Sequence, residues 1–158
     1  MAATLFLDER QRAFAAVART ATLATIGPDG RPRLVPICFI VGTTGPNGRP
    51  RLYSPLDDKP KVTREPGDLA RVRNILVRPD VTLLVDRWSE DWLRLGWLRI
   101  DARADLLEPV SPDLEEHAAA IAALRQKYPQ YTIHRLEERP MLRFTVVGVV
   151  AWGDLGLE

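Results

Sequence analysis

Apolar and polar positions change period several times along this chain, and each change marks an element. After Asp8, residues Phe14, Val17 and Ala18 fall on one side of a helix, with Glu9 at its positive end. From Thr20 the residues turn β-branched and apolar (TATLATI) and stop at Gly27-Pro28-Asp29-Gly30. That turn predicts a hairpin whose second strand runs from Arg33 to Val41. The segment GPDGRPRL at 27–34 returns as GPNGRPRL at 45–52, so the next connection has the same turn chemistry. Strands joined this way describe an antiparallel meander rather than a βαβ unit.

The stretch from Leu52 to Asp86 follows as a strand ending at Ser54, a basic loop, a short helix and a second strand, VTLLVD at 81–86. In the helix, Leu69, Val72 and Leu76 mark a buried face, while Arg71, Asn74 and Arg78 fall on another, polar one. Residues 92–107 alternate, with a change of phase at Gly96 to Leu98 that predicts a bulge or sharp bend. Ser111-Pro112 is placed to open a third helix whose buried positions are Leu114, Ala118, Ile121, Leu124 and Tyr128. The last strand is MLRFTVVGVVAW at 141–152. About six strands and three helices result, and six antiparallel strands that must protect their edges predict a small β-barrel flanked by helices. Val147 and Val149 oppose Val146 and Val150 in strand parity, which predicts a second buried surface such as a homodimer interface.

With 158 residues the chain makes one domain, 1–158. Its 22 basic and 21 acidic residues leave a net charge of +1, so no long-range field directs it to nucleic acid or a membrane surface. The single cysteine, Cys38, makes no internal disulfide and suits a reducing cytoplasm. The sequence shows neither a signal peptide nor the ~20 apolar residues of a membrane span.

Candidate chemistry is sparse. His117 and His134, with one distant cysteine, do not make a metal site, and both read as structural or surface residues. No nucleophile–base pair or facing carboxylate pair stands out, and Asp57-Asp58 reads as a solvated turn. Six cations do crowd between Lys59 and Arg78. Ser54, Lys59, Lys61, Arg71 and Asn74 could converge on one anion. A solvated loop, salt-bridged through Asp57, Asp58 and Glu65, fits the same residues equally well.

The order ATLATIGPDGRPRLVPI, LYSPLDDKPK, RVRNILVRPDVTLLVD and WLRIDARADLLE resembles the split β-barrel flavin and deazaflavin oxidoreductases, the pyridoxamine 5′-phosphate oxidase-like superfamily. It is more narrowly similar to the actinobacterial branch of deazaflavin (coenzyme F420)-dependent oxidoreductases. The resemblance implies a six-stranded antiparallel split barrel of the FMN-binding type, working as a homodimer. It also implies a phosphate contact at the basic residue eight positions before Pro79, which is Arg71. Thr25, Pro36 and Ile37 would line the cofactor ring, and Trp88 and Trp92 would edge the substrate pocket. In that picture the cofactor carries the chemistry and the protein binds, orients and excludes water.

The activity the resemblance implies is hydride transfer between reduced F420 and a small-molecule acceptor. Surplus cations such as Arg31, Arg33 and Lys61 lean toward F420, whose tail carries extra carboxylates. FMN-dependent oxidase or reductase activity is the alternative. A third reading is a non-catalytic protein that binds a flavin, F420 or a tetrapyrrole.

Overall fold

Asp8 opens the first element in the computed structural model, which describes residues 2–56 and 69–157. Its carboxylate accepts a hydrogen bond from the Gln11 backbone at 2.8 Å, and the Gln11 side chain accepts from the Asp8 N–H at 3.0 Å. This reciprocal cap starts α1, Glu9–Val17, which buries Phe14 and Ala15 but leaves Val17 in solvent.

Seven strands form one antiparallel sheet: β1 (Ala21–Ile26), β2 (Pro32–Ile37), β3 (Ile40–Thr44), β4 (Pro50–Pro55), β5 (Asp80–Arg87), β6 (Gly96–Leu107) and β7 (Met141–Gly153). Their order is β2-β1-β5-β6-β7-β4-β3. Two further helices, α2 (Ala70–Val77) and α3 (Leu114–Lys127), pack at its flanks. The mainly β plan with three flanking helices matches expectation, with one strand more than the six predicted.

The extra strand comes from a break at Cys38–Phe39. The Tyr128 hydroxyl accepts from the Phe39 N–H at 3.1 Å, and Lys127 Nζ donates to the Phe39 carbonyl at 3.0 Å. Side chains thus take the backbone bonds that a ladder would need, and β2 and β3 end at opposite edges of the sheet. The expected meander is therefore two separate hairpins. Their turns close alike, as the repeat predicts: Gly27 N–H donates to Arg31 at 2.9 Å and Gly45 N–H to Arg49 at 2.7 Å.

The phase change lies elsewhere than expected. Trp92–Arg94 form a 3-10 turn capped by Asp91, and β6 runs unbroken from Gly96. Opposite it, Asp101 faces Gly148 while Ala102 faces Val146, so Val147 is the extra residue of a bulge in β7. The bulge explains how both Val146 and Val149 reach the core. The paired valines no longer require a partner surface.

α3 is capped at Asp113 rather than Ser111, and it buries His117, Ala120, Ile121 and Leu124 while Leu114 and Ala118 stay exposed. Ionic contacts tie its first half to the sheet. Arg51 and the Tyr53 hydroxyl both donate to Glu116 Oε1, at 2.8 and 2.5 Å, and Arg143 donates to Glu116 Oε2 at 2.9 Å. Burial pushes the Glu116 carboxyl up, but the Tyr53 bond and the two arginines outweigh it and hold it below its ordinary value. Burial and the Glu116 contact push the Tyr53 phenol well up.

At the other end of α3, Lys127 lies over the Phe39 ring at 4.2 Å, and burial, with Arg19 nearby, lowers its pKa to about 8. The unfolded chain, with Lys nearer ~10.4, then binds more protons than the folded one between about pH 8 and ~10.4, so folding stability rises with pH across that window. Discounted for partial exposure, Lys127→Met should remove about 1 kcal/mol of this rise between pH 8 and 9.5 in urea titrations. Identical slopes for the two proteins would contradict this.

Candidate functional site

α2 decides the site because of how it turns on the sheet. Val72 and Ile75 enter the core at 0% and 1% exposure, and Asn74 follows them at 8%. A buried amide needs a partner, and Asn74 Nδ2 donates to Thr25 Oγ1 of β1 at 3.0 Å. The expected faces are therefore rotated: Asn74 turns inward, and Leu76, expected in the core, is 63% exposed. The sequence pattern hides this because a buried Asn–Thr pair looks polar in a helical projection.

Between α2 and the β1–β2 hairpin opens a cleft of about 680 Å³. The hairpin contributes Thr25 to Pro28 and Arg33, Leu34 and Val35; the helix contributes Arg71, Arg73, Asn74, Val77 and Arg78. Leu34 and Val77 present exposed aliphatic surface there. Four guanidiniums, of Arg33, Arg71, Arg73 and Arg78, also line the cleft. Arg33 reaches Asp29 at 2.9 Å, and its hydrogen bond holds the Asp29 carboxyl below its usual range. The lining holds no carboxylate, histidine or cysteine among the described residues. Such a set can hold anions against an apolar surface; it offers no conventional general base.

The structure brings three of the predicted residues, Thr25, Arg71 and Asn74, to this cleft. Arg73 lines it as well, because two long side chains reach the same opening from different sides of the helix. Pro36 is exposed further along β2, and Ile37 is in the core at 5% exposure. Ser54 is buried within β4 opposite Leu142, away from the cleft lining. Lys59 and Lys61 lie outside the described residues. Trp88 and Trp92 are exposed, at 68% and 74%, on the β5–β6 connection and do not line the cleft. Leu34 and Val35 carry no signal for the cleft in the sequence; they reach it because β2 pairs with β1, the strand on which α2 packs. His117 is structural, with Nε2 2.7 Å from the Arg139 carbonyl, and no cluster suited to a metal occurs among the described residues.

A family model described as pyridoxamine 5′-phosphate oxidase matches residues 7–153. The chain belongs to this family. No curated protein matches it in sequence. Among solved structures, it is similar to an F420 reductase (TM-score 0.55, 15% identity, 87% of this chain and 92% of that one). A heme storage protein of Vibrio cholerae gives 0.59 and 18% identity over 91% and 93% of the two chains. An FAD-binding protein of Mesorhizobium loti gives 0.58 and 18% over 88% and 87%. At such identities the likeness establishes the split-barrel fold of the family. These three proteins are named for three different ligands on that fold, so the ligand has to be argued from this chain's own cleft.

Asn74→Ala leaves the buried Thr25 hydroxyl without its donor and should destabilise the fold by about 1–2 kcal/mol in chemical denaturation. An unchanged midpoint would mean that the pair does not hold α2 in place.

Proposed function

We propose that this family member is a reductase that binds the deazaflavin F420 in the α2 cleft and passes hydride between the reduced cofactor and a small-molecule acceptor. The observation that carries this reading is the convergence of Arg33, Arg71, Arg73 and Arg78 on one cleft that also has aliphatic walls. Arginine suits phosphate and carboxylate oxygens through its planar fork, and Leu34, Val35 and Val77 suit a flat ring. Four cations fit a cofactor with a phosphate and further carboxylates better than one with a single phosphate. FMN is the alternative, since the phosphate contact would be the same.

The donor set fits such a group: Arg71, with Arg73 and Arg78 beside it, would hold the phosphate, and Thr25, fixed by Asn74, would set the ring's position. The bound group supplies the hydride chemistry. The protein's own part is to bind, to orient and to keep water from the apolar wall, since no lining side chain among the described residues is a conventional acid or base. Lys59 and Lys61 remain proposed contacts from the Leu52–Asp86 stretch and Pro36 a proposed ring neighbour, while Ser54 and Ile37, buried away from the cleft lining, would act on the cofactor only through the strands they hold. Trp88 and Trp92, displayed at the surface, would edge the acceptor pocket, with a partner subunit completing it. The working form is then a cytoplasmic homodimer, supported by exposed Leu34, Leu84 and Trp152 on the sheet. Sedimentation equilibrium giving only monomer would remove that part of the proposal.

A non-catalytic heme-binding role is less well supported. The lining offers no histidine, cysteine, methionine or tyrosine as an axial ligand among the described residues.

Titration with F420 and with FMN tests the reading. F420 should bind more tightly than FMN, and Arg71→Ala should weaken F420 binding by about 1.5–3 kcal/mol while leaving the melting temperature nearly unchanged. An unchanged affinity with a large drop in melting temperature would make Arg71 a structural arginine.

A further inference from the structure

A second basic site lies on the sheet away from the cleft. Register puts Arg51 of β4 opposite Thr145 of β7, and Thr145 opposite Arg103 of β6. The three therefore stand in one row across adjacent strands spaced about 4.8 Å apart. With Arg49, they line a groove of about 280 Å³ that shares no residue with the α2 cleft.

The next row along the same strands, Tyr53, Arg143 and Asp105, is electrically satisfied. Arg143 holds Asp105 at 2.9 Å through Nε and Glu116 at 2.9 Å through Nη1. The Arg51 row is not. Arg51 is held from one side by Glu116, yet its Nε is buried with no hydrogen-bond partner. Arg103 has only an exposed contact with Asp80 at 3.6 Å, which contributes little. Arg49 makes no ion pair, and the Thr145 hydroxyl no hydrogen bond, among the described residues. Among the described residues Asp105 is the one carboxylate lining the groove, and Arg143 already neutralises it.

Glu116 meets Arg51 from one side and the exposed Asp80 reaches Arg103, but the buried Arg51 Nε and the Arg49 guanidinium have no partner among the described residues, so an anion entering between the three would complete the row. We infer that this groove is a binding site for a phosphate group, held by Arg49, Arg51, Arg103 and the Thr145 hydroxyl. Its volume takes a phosphate and the few atoms next to it, which points to a small phosphorylated metabolite rather than a dinucleotide. The site is separate from the proposed cofactor contact at Arg71 and does not depend on it.

Calorimetric titration of the full chain with inorganic phosphate, pyrophosphate and ribose 5-phosphate tests the inference. Saturable binding of at least one of them is expected, and the partial burial of Arg51 makes the exposed pair Arg49 and Arg103 the better variants. Arg49→Ala with Arg103→Ala should weaken binding about tenfold or more. The double variant should leave F420 and FMN affinity unchanged, and Arg71→Ala should leave phosphate binding at the groove unchanged. Tighter binding of ribose 5-phosphate than of inorganic phosphate would show that the attached group is recognised; the reverse would assign the site to the free ion. No saturable binding, insensitivity to the double variant, or loss with Arg71→Ala would each overturn the inference, the last by placing the phosphate in the cleft.

Discussion

The β6–β7 ladder is the constraint on which the rest of this fold depends. β6 carries β5 and, through it, the β1–β2 hairpin; β7 carries β4 and, through it, β3. If that ladder parts, the sheet falls into two pieces, each with half of the core. The bulge at Val147 keeps the ladder intact while it changes which β7 residues face inward, so Phe144, Val146 and Val149 all reach one core. The α2 cleft is built on the β5 side of this ladder. The arginine groove straddles its other side.

Within the β5 side, the placement of α2 follows from packing first and polarity second. Val72 and Ile75 fix which side of the helix meets the sheet, and the Asn74–Thr25 bond removes the penalty of burying an amide there. The arginines at 71, 73 and 78 then have one opening to share, against Arg33 from the hairpin. Crowding of like charge in one cleft is costly unless an anion occupies it. That cost is the physical argument behind the proposal of an anionic cofactor in the cleft.

Local signals in the sequence were readable where local physics decides. The Asp8 cap with Gln11, the twin Gly-Pro-Asx-Gly turns and the helix ending before Pro79 all follow from neighbouring residues. The strand break at Phe39 does not, because the groups that cause it, Lys127 and Tyr128, come from the far end of α3. The same holds for α2: nothing near Asn74 reveals that Thr25 awaits it. Of the candidate site, Arg71 and Asn74 are legible from helical spacing and Thr25 from the family resemblance, whereas Arg73 and Leu34 need the cleft itself to be seen. The valines of β7 misled because a bulge and a two-sided strand leave the same pattern.

The most direct measurement of the central claim compares each cofactor with its form lacking the phosphate: F420 against its bare deazaflavin chromophore, and FMN against riboflavin, by equilibrium fluorescence titration. The account predicts that removing the phosphate weakens binding about tenfold to a hundredfold for the cofactor the protein uses, with the difference shrinking as salt rises. Equal affinity for the forms with and without phosphate, at every salt concentration, would contradict it.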